Sequence, residues 1–132
     1  MGTCLRIGII TFLLISCKPP LQEIRSTRQQ WCVESKNLVG INYHFTVKTM
    51  ADYTKLRLDS IWLHGKWVSK FHYSVLGKAN TDTAYFKNDT ILISINMMDT
   101  LFKQPIILHF TINSKNKKIS ITRLTTLKSL CQ

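Results

Sequence analysis

Four histidines, the six carboxylates that follow residue 30 and a few serines are the residues of this sequence with chemistry to offer. Their spacing argues against most of it. His44, His64, His72 and His109 invite a metal or catalytic reading. None forms an HxH or HxxxH pair, so a site would need neighbours from other strands. They are read as solvated histidines, three of them on the polar side of strands. Glu34, Asp52, Asp59, Asp82, Asp89 and Asp99 supply no evident pair for glycoside hydrolysis, which needs two carboxyls across a cleft. Asp82, Asp89 and Asp99 are read as turn residues, and Asn80-Thr81-Asp82 and Asn88-Asp89 lack a calcium-loop frame. Asp59, close to Trp62, is the acid most worth locating, and a salt bridge to a cross-strand Lys or Arg is expected for it. Ser60 and Ser94 lie in strand patterns without a nucleophile elbow, and no glycine loop exists to cradle a phosphate. Cys32 and Cys131 lack the CxxC spacing of a zinc site. The expectation is no catalytic residue, no cofactor and no metal.

Charge points to association instead. Eighteen Lys and Arg stand against seven Asp and Glu, a net +11 over 132 residues. Such a surface attracts anions, whether nucleic acid, lipid head groups, acidic glycan or an acidic protein. The tightest basic cluster is Lys115, Lys117 and Lys118, read as a turn and as the candidate anion-binding site. Aromatics near basic residues, Trp62, Trp67, Phe71 and Tyr73, resemble what an oligonucleotide-binding barrel offers. Aromatics at period two more often fill a core.

The elements that must position these groups are strands. "INYHFTVKT" sets Ile41, Tyr43, Phe45 and Val47 against Asn42, His44, Thr46 and Lys48, a half-buried strand. "KLRLDSIWLHG" places Leu56, Leu58 and Trp62 on one face. "KWVSKFHYSVLG" turns Trp67, Phe71, Tyr73 and Val75 inward, and His64-Gly65 suggests a tight hairpin between the two. "LGKANTD" is a polar loop and "TAYFK" a short strand. "DTILISIN" and "IILHFTIN" alternate again. "SKNKK" reads as the turn into "ISITRL", so 106–124 is the clearest hairpin, and 126–131 reads as a short edge strand. Residues 97–104, "MMDTLFKQ", read as one helical turn or a loop. Residues 22–31 show no apolar stripe and read as a linker. Seven to eight short strands in about 100 residues predict an all-β, antiparallel sandwich of immunoglobulin type, with a small closed barrel as the alternative.

The N-terminus carries its own pattern. Arg6, an apolar run from Ile7 to Ile15 and then Ser16 and Cys17 form a secretory signal. The run is too short to span a bilayer, which needs about 20 apolar residues. Leu14-Ile15-Ser16-Cys17 resembles the lipobox of bacterial lipoproteins. The resemblance implies cleavage between Ser16 and Cys17, diacylglycerol on the Cys17 sulfur and an acylated new amino group. It also implies an outer membrane location facing the periplasm, because no Asp follows Cys17 and no acidic run directs export to the surface. Domains are then expected as a signal peptide at 1–16, lipidated cysteine and tether at 17–30, and one β domain at 31–132. Loss of Arg6 leaves 17 basic against 7 acidic residues, a net +10.

That implied location bears on the remaining cysteines. Cys4 leaves with the signal and Cys17 takes lipid, so Cys32 and Cys131 are two thiols in an oxidising compartment. A disulfide between them is the expectation. It would pin the first strand to the last.

A second resemblance lies in "RQQWCVESKNLVGINYHF", residues 28–45. Trp31 and Gly40-Ile41-Asn42-Tyr43 are similar to the start of small β-rich lipoproteins of Bacteroidota, a family that brings no known activity. Together these features predict a non-enzymatic, lipid-anchored envelope protein, binding or structural. Its partners would be the membrane through the N-terminal lipid, and an envelope protein or an anionic glycan or lipid; no nucleic acid is expected. An inhibitor or scavenger of an acidic envelope or host factor is the alternative.

Overall fold

Alternation of β-branched and aromatic residues with polar ones drives this chain into two sheets whose apolar faces meet. The computed structural model describes residues 19–63, 65–78, 84–98 and 105–131. Among these residues nine strands run in order: β1 (Leu21–Val33), β2 (Leu38–Thr49), β3 (Leu56–Leu63), β4 (Lys66–Val68), β5 (His72–Val75), β6 (Thr90–Met97), β7 (Ile107–Ile112), β8 (Lys115–Ser120) and β9 (Leu124–Thr126). One sheet has the order β5-β6-β2-β1-β9, the other β4-β3-β7-β8. All pairings are antiparallel except β1 with β9. Neither sheet closes on itself, so the fold is a sandwich and not a barrel. With β1 as strand A, the two orders are D-E-B-A, extended by β9 beyond A, and C′-C-F-G; apart from β9 they match the immunoglobulin sandwich. Neither β2 nor β7 carries a cysteine, and each buries a phenylalanine, Phe45 and Phe110.

The core is aliphatic and aromatic. Ile41, Tyr43, Phe45 and Val47 of β2 and Ile91, Ile93 and Ile95 of β6 face Leu56, Leu58, Ile61 and Leu63 of β3 and Leu108, Phe110 and Ile112 of β7. Each such side chain contributes roughly 1.5–3 kcal/mol by leaving water.

The stretch expected to be a tether is instead the longest strand. Residues 21–33 form β1, paired with β2 from Leu21↔Thr49 to Val33↔Leu38 and with β9 through Ser26↔Leu124 to Arg28↔Thr126. Its inward positions include Glu23, Ser26, Arg28, Gln30 and Cys32. They carry no apolar stripe, and Glu23, Gln30 and Cys32 among them hold the end of the chain rather than the opposite sheet. Glu23 accepts the backbone N–H of Thr122 at 2.9 Å and of Arg123 at 3.3 Å. The Ser129 hydroxyl donates to Gln30, and the N–H groups of Leu127 and Leu130 donate to the carbonyls of Arg28 and Gln30. Cys32 and Cys131 are disulfide-bonded with Cα atoms 5.1 Å apart. The expected link between first and last segments is therefore present.

The basic turn also moves. The β7–β8 hairpin closes at Asn113-Ser114, both at positive φ (49° and 67°), as a two-residue hairpin turn requires. Lys115, Lys117 and Lys118 belong to the edge strand β8.

Candidate functional site

One residue decides which side chains the four-stranded sheet offers to solvent. Leu58 pairs with Phe110 but Ser60 pairs with His109, so Asp59 is an extra residue in β3. A one-residue insertion inverts the faces beyond it. Leu56 and Leu58 point inward before it, Ile61 and Leu63 after it, and Trp62 turns outward. Trp62 pairs with Trp67 across the hairpin that closes at Gly65, where φ is +77°. Both indoles, expected in the core, thus lie on the outer face.

There the rings form a connected surface. Trp62 and Trp67 meet edge to face at 5.0 Å, and Trp67 meets the His109 imidazole at 5.6 Å. Trp67 remains 48% exposed. His109 is paired with Lys118, which shares this outer face. The Arg57 Nε–H donates to Asp59 Oδ1 at 2.6 Å, and the Thr111 hydroxyl donates to Asp59 Oδ2. Asp59 has its expected salt bridge, but to a residue two positions away on its own strand. Burial raises its pKa, and the bonds from Thr111 and Arg57 with the charges of Arg57 and His109 more than offset that, so it lies below the usual carboxylate value. With both oxygens engaged, Asp59 is suited to hold Arg57 and unsuited to accept a proton. The face can stack a flat apolar surface on the indoles while Arg57 and Lys118 meet negative charge at its rim.

No family model, curated protein or solved structure matches this chain.

The other expected residues are dispersed. The pleat splits the lysine cluster: Lys115 and Lys117 pair with inward Ile112 and Phe110, while Lys118 pairs with outward His109. The three do not converge on one anion. His44 and His72 do come into register, because both pair with Ser94 on β6. They line an open concavity of ≈ 500 Å³ on the five-stranded sheet with Thr46, Ser74 and Leu92. That row brings no carboxylate to either imidazole, and among the described residues no three His, Cys, Asp or Glu are grouped to hold a metal. Asp52 and Asp89 cap the backbone N–H groups of Lys87 and Phe86. Ser16, Cys17, His64, Asn80, Thr81, Asp82 and Asp99 lie outside the described residues. Among the described residues no helix is long and apolar enough to cross a membrane.

The aromatic face escaped sequence reasoning. Strict alternation through "LRLDSIWL" keeps Leu58 and Trp62 together, and only an acid at a strand centre hinted that the alternation breaks.

Proposed function

We propose that this chain is a lipid-anchored protein of the cell envelope, carried on diacylglycerol at Cys17 and facing the periplasm from the outer membrane. Its sandwich binds an envelope partner, a protein or an anionic glycan, and catalyses no reaction. One observation carries the anchored reading. β1 begins at Leu21, which leaves only Lys18, Pro19 and Pro20 between Cys17 and a paired strand. At about 3.3–3.6 Å per residue, those positions reach roughly 10–14 Å. A lipid at Cys17 would hold the folded domain against the bilayer surface, with two prolines stiffening the gap.

Binding is supported by the outward Trp62 and Trp67 with Arg57 on the same face, residue types enriched where proteins meet partners, and by His109 and Lys118 in register beside them. Asp59, its oxygens taken by Arg57 and Thr111, favours a binding role over acid–base work.

The test is the intact mass of the full chain produced in a Gram-negative host, as wild type and as Cys17→Ala. Cleavage before Cys17 with added lipid, lost in the variant, is the expected result. Unlipidated masses that differ only by the substitution overturn the anchor.

A further inference from the structure

The end of the sandwich from which residues 19 and 20 emerge has a composition of its own. The Pro20 carbonyl accepts the Met50 N–H at 3.1 Å and the Tyr53 hydroxyl at 2.6 Å, which fixes the exit of the chain beside the β2–β3 connection. Register brings the ends of β5 and β7 and the starts of β3, β6 and β8 to the same place. Leu76 follows β5 and is 60% exposed; Phe86 precedes β6 and is 64% exposed. Lys55, Lys87 and Lys115 are exposed around them.

Among the described residues, Asp52 and Asp89 at this end are used internally. Asp52 accepts the Lys87 N–H, and Asp89 accepts the Phe86 N–H and pairs with Lys78 at 3.0 Å. Lys78 also lies over the Phe86 ring, 4.6 Å from its centroid, so it steadies that ring in its exposed position. Two large exposed apolar side chains and three exposed lysines at one end of the sandwich match an anionic membrane interface, with ring and alkyl groups at the acyl boundary and lysines at the phosphates.

We propose that this end docks on an anionic bilayer, with Leu76 and Phe86 entering the interface and Lys55, Lys87 and Lys115 meeting lipid phosphates. The inference rests on the anchored reading for which end faces the membrane. An anchor at Cys17 delivers this end first, and docking would fix the domain upright and leave the Trp62–Trp67 face free at its side.

The test uses the full chain reconstituted in vesicles of phosphatidylcholine with phosphatidylglycerol, one lipid carrying brominated acyl chains that quench a nearby indole. Phe86→Trp adds a reporter at the proposed contact, and Met98→Trp adds one at the opposite end, where Met98 is 56% exposed. Trp31, Trp62 and Trp67 give a common background. The expected result is a quenched component in Phe86→Trp that is absent in Met98→Trp. It should fall at least twofold on removing phosphatidylglycerol or on combining Lys55→Gln, Lys87→Gln and Lys115→Gln. Equal quenching at both positions, or quenching insensitive to lipid charge and to the lysines, overturns the proposal. The intact mass of the same preparation reads the anchor separately. A missing lipid mass with the quenching difference preserved overturns the anchor alone and supports this surface.

Discussion

The Trp31 indole lies over Gly40, its partner in register on β2, so closely that a Cβ built there would come within 2.4 Å of Trp31 Cζ2 and 2.6 Å of the Met97 carbonyl oxygen. The indole N–H reaches on to β6, donating to Asn96 Oδ1 at 2.9 Å. One aromatic ring thereby spans three strands. A Gly40→Ala substitution meets backbone on one side and a bonded ring on the other, and should cost about 1–3 kcal/mol, the range for overpacked sites. Urea unfolding measures it. Adding Trp31→Ala should recover only part of the loss, because the Met97 carbonyl stays in place.

The Cys32–Cys131 bond closes a loop of 99 positions. In the chain-entropy model a loop of about 100 residues is stabilised by up to about 4.7 kcal/mol. Cys32→Ser combined with Cys131→Ser should lower the unfolding free energy, read from urea denaturation, by an amount within that bound. Hydrogen exchange should localise the earliest loss to the Leu127 and Leu130 amides, which are held by Arg28 and Gln30.

Glu23 ties the turn after β8 to β1. Burial raises its pKa, but bonds from Ser26, Thr122 and Arg123 outweigh it, so the folded value lies below the reference of 4.5. A depressed carboxylate stabilises the fold above its unfolded pKa, and that stability is lost as pH falls through the folded value. Glu23→Gln should therefore be less stable than wild type at pH 7, with the gap closing below about pH 4.5. Thermal melts of both proteins across pH 3–7 give the comparison; a gap constant with pH would contradict it.

Lys117, paired with buried Phe110, lies on the inward side of β8, an edge strand whose outer side is unpaired in the sheet order. An inward lysine at an edge discourages a second strand from adding there. Lys117→Ile should raise the apparent mass in light scattering after gel filtration, increasingly with concentration, and Lys118→Ile, on the other face, should raise it less.

Strands β2, β6 and β7 were legible because each packs one face on the core and wets the other, which writes period two into the residues. β1 was illegible for a definite reason. Its inward Glu23, Gln30 and Cys32 are spent on the chain's own C-terminal segment and Ser26 on Glu23, so the apolar signal is missing where the pairing is longest. The turn at Asn113-Ser114 was displaced because the lysines after it look like loop residues, and an edge strand tolerates them. The aromatic face was hidden by Asp59: one inserted residue changes the meaning of every later position in β3, and nothing in composition records it. The pairing of His44 and His72 through Ser94 depends on a non-local register that no short window contains.

The position of β1 between β2 and β9 has a mechanical consequence. A pull applied at Leu21 along the strand loads its hydrogen bonds to both neighbours in shear, so they must fail together rather than one at a time. The disulfide at the far end of the same strand is a covalent stop against sliding. A domain built this way can be tugged by its N-terminus without being unravelled from it.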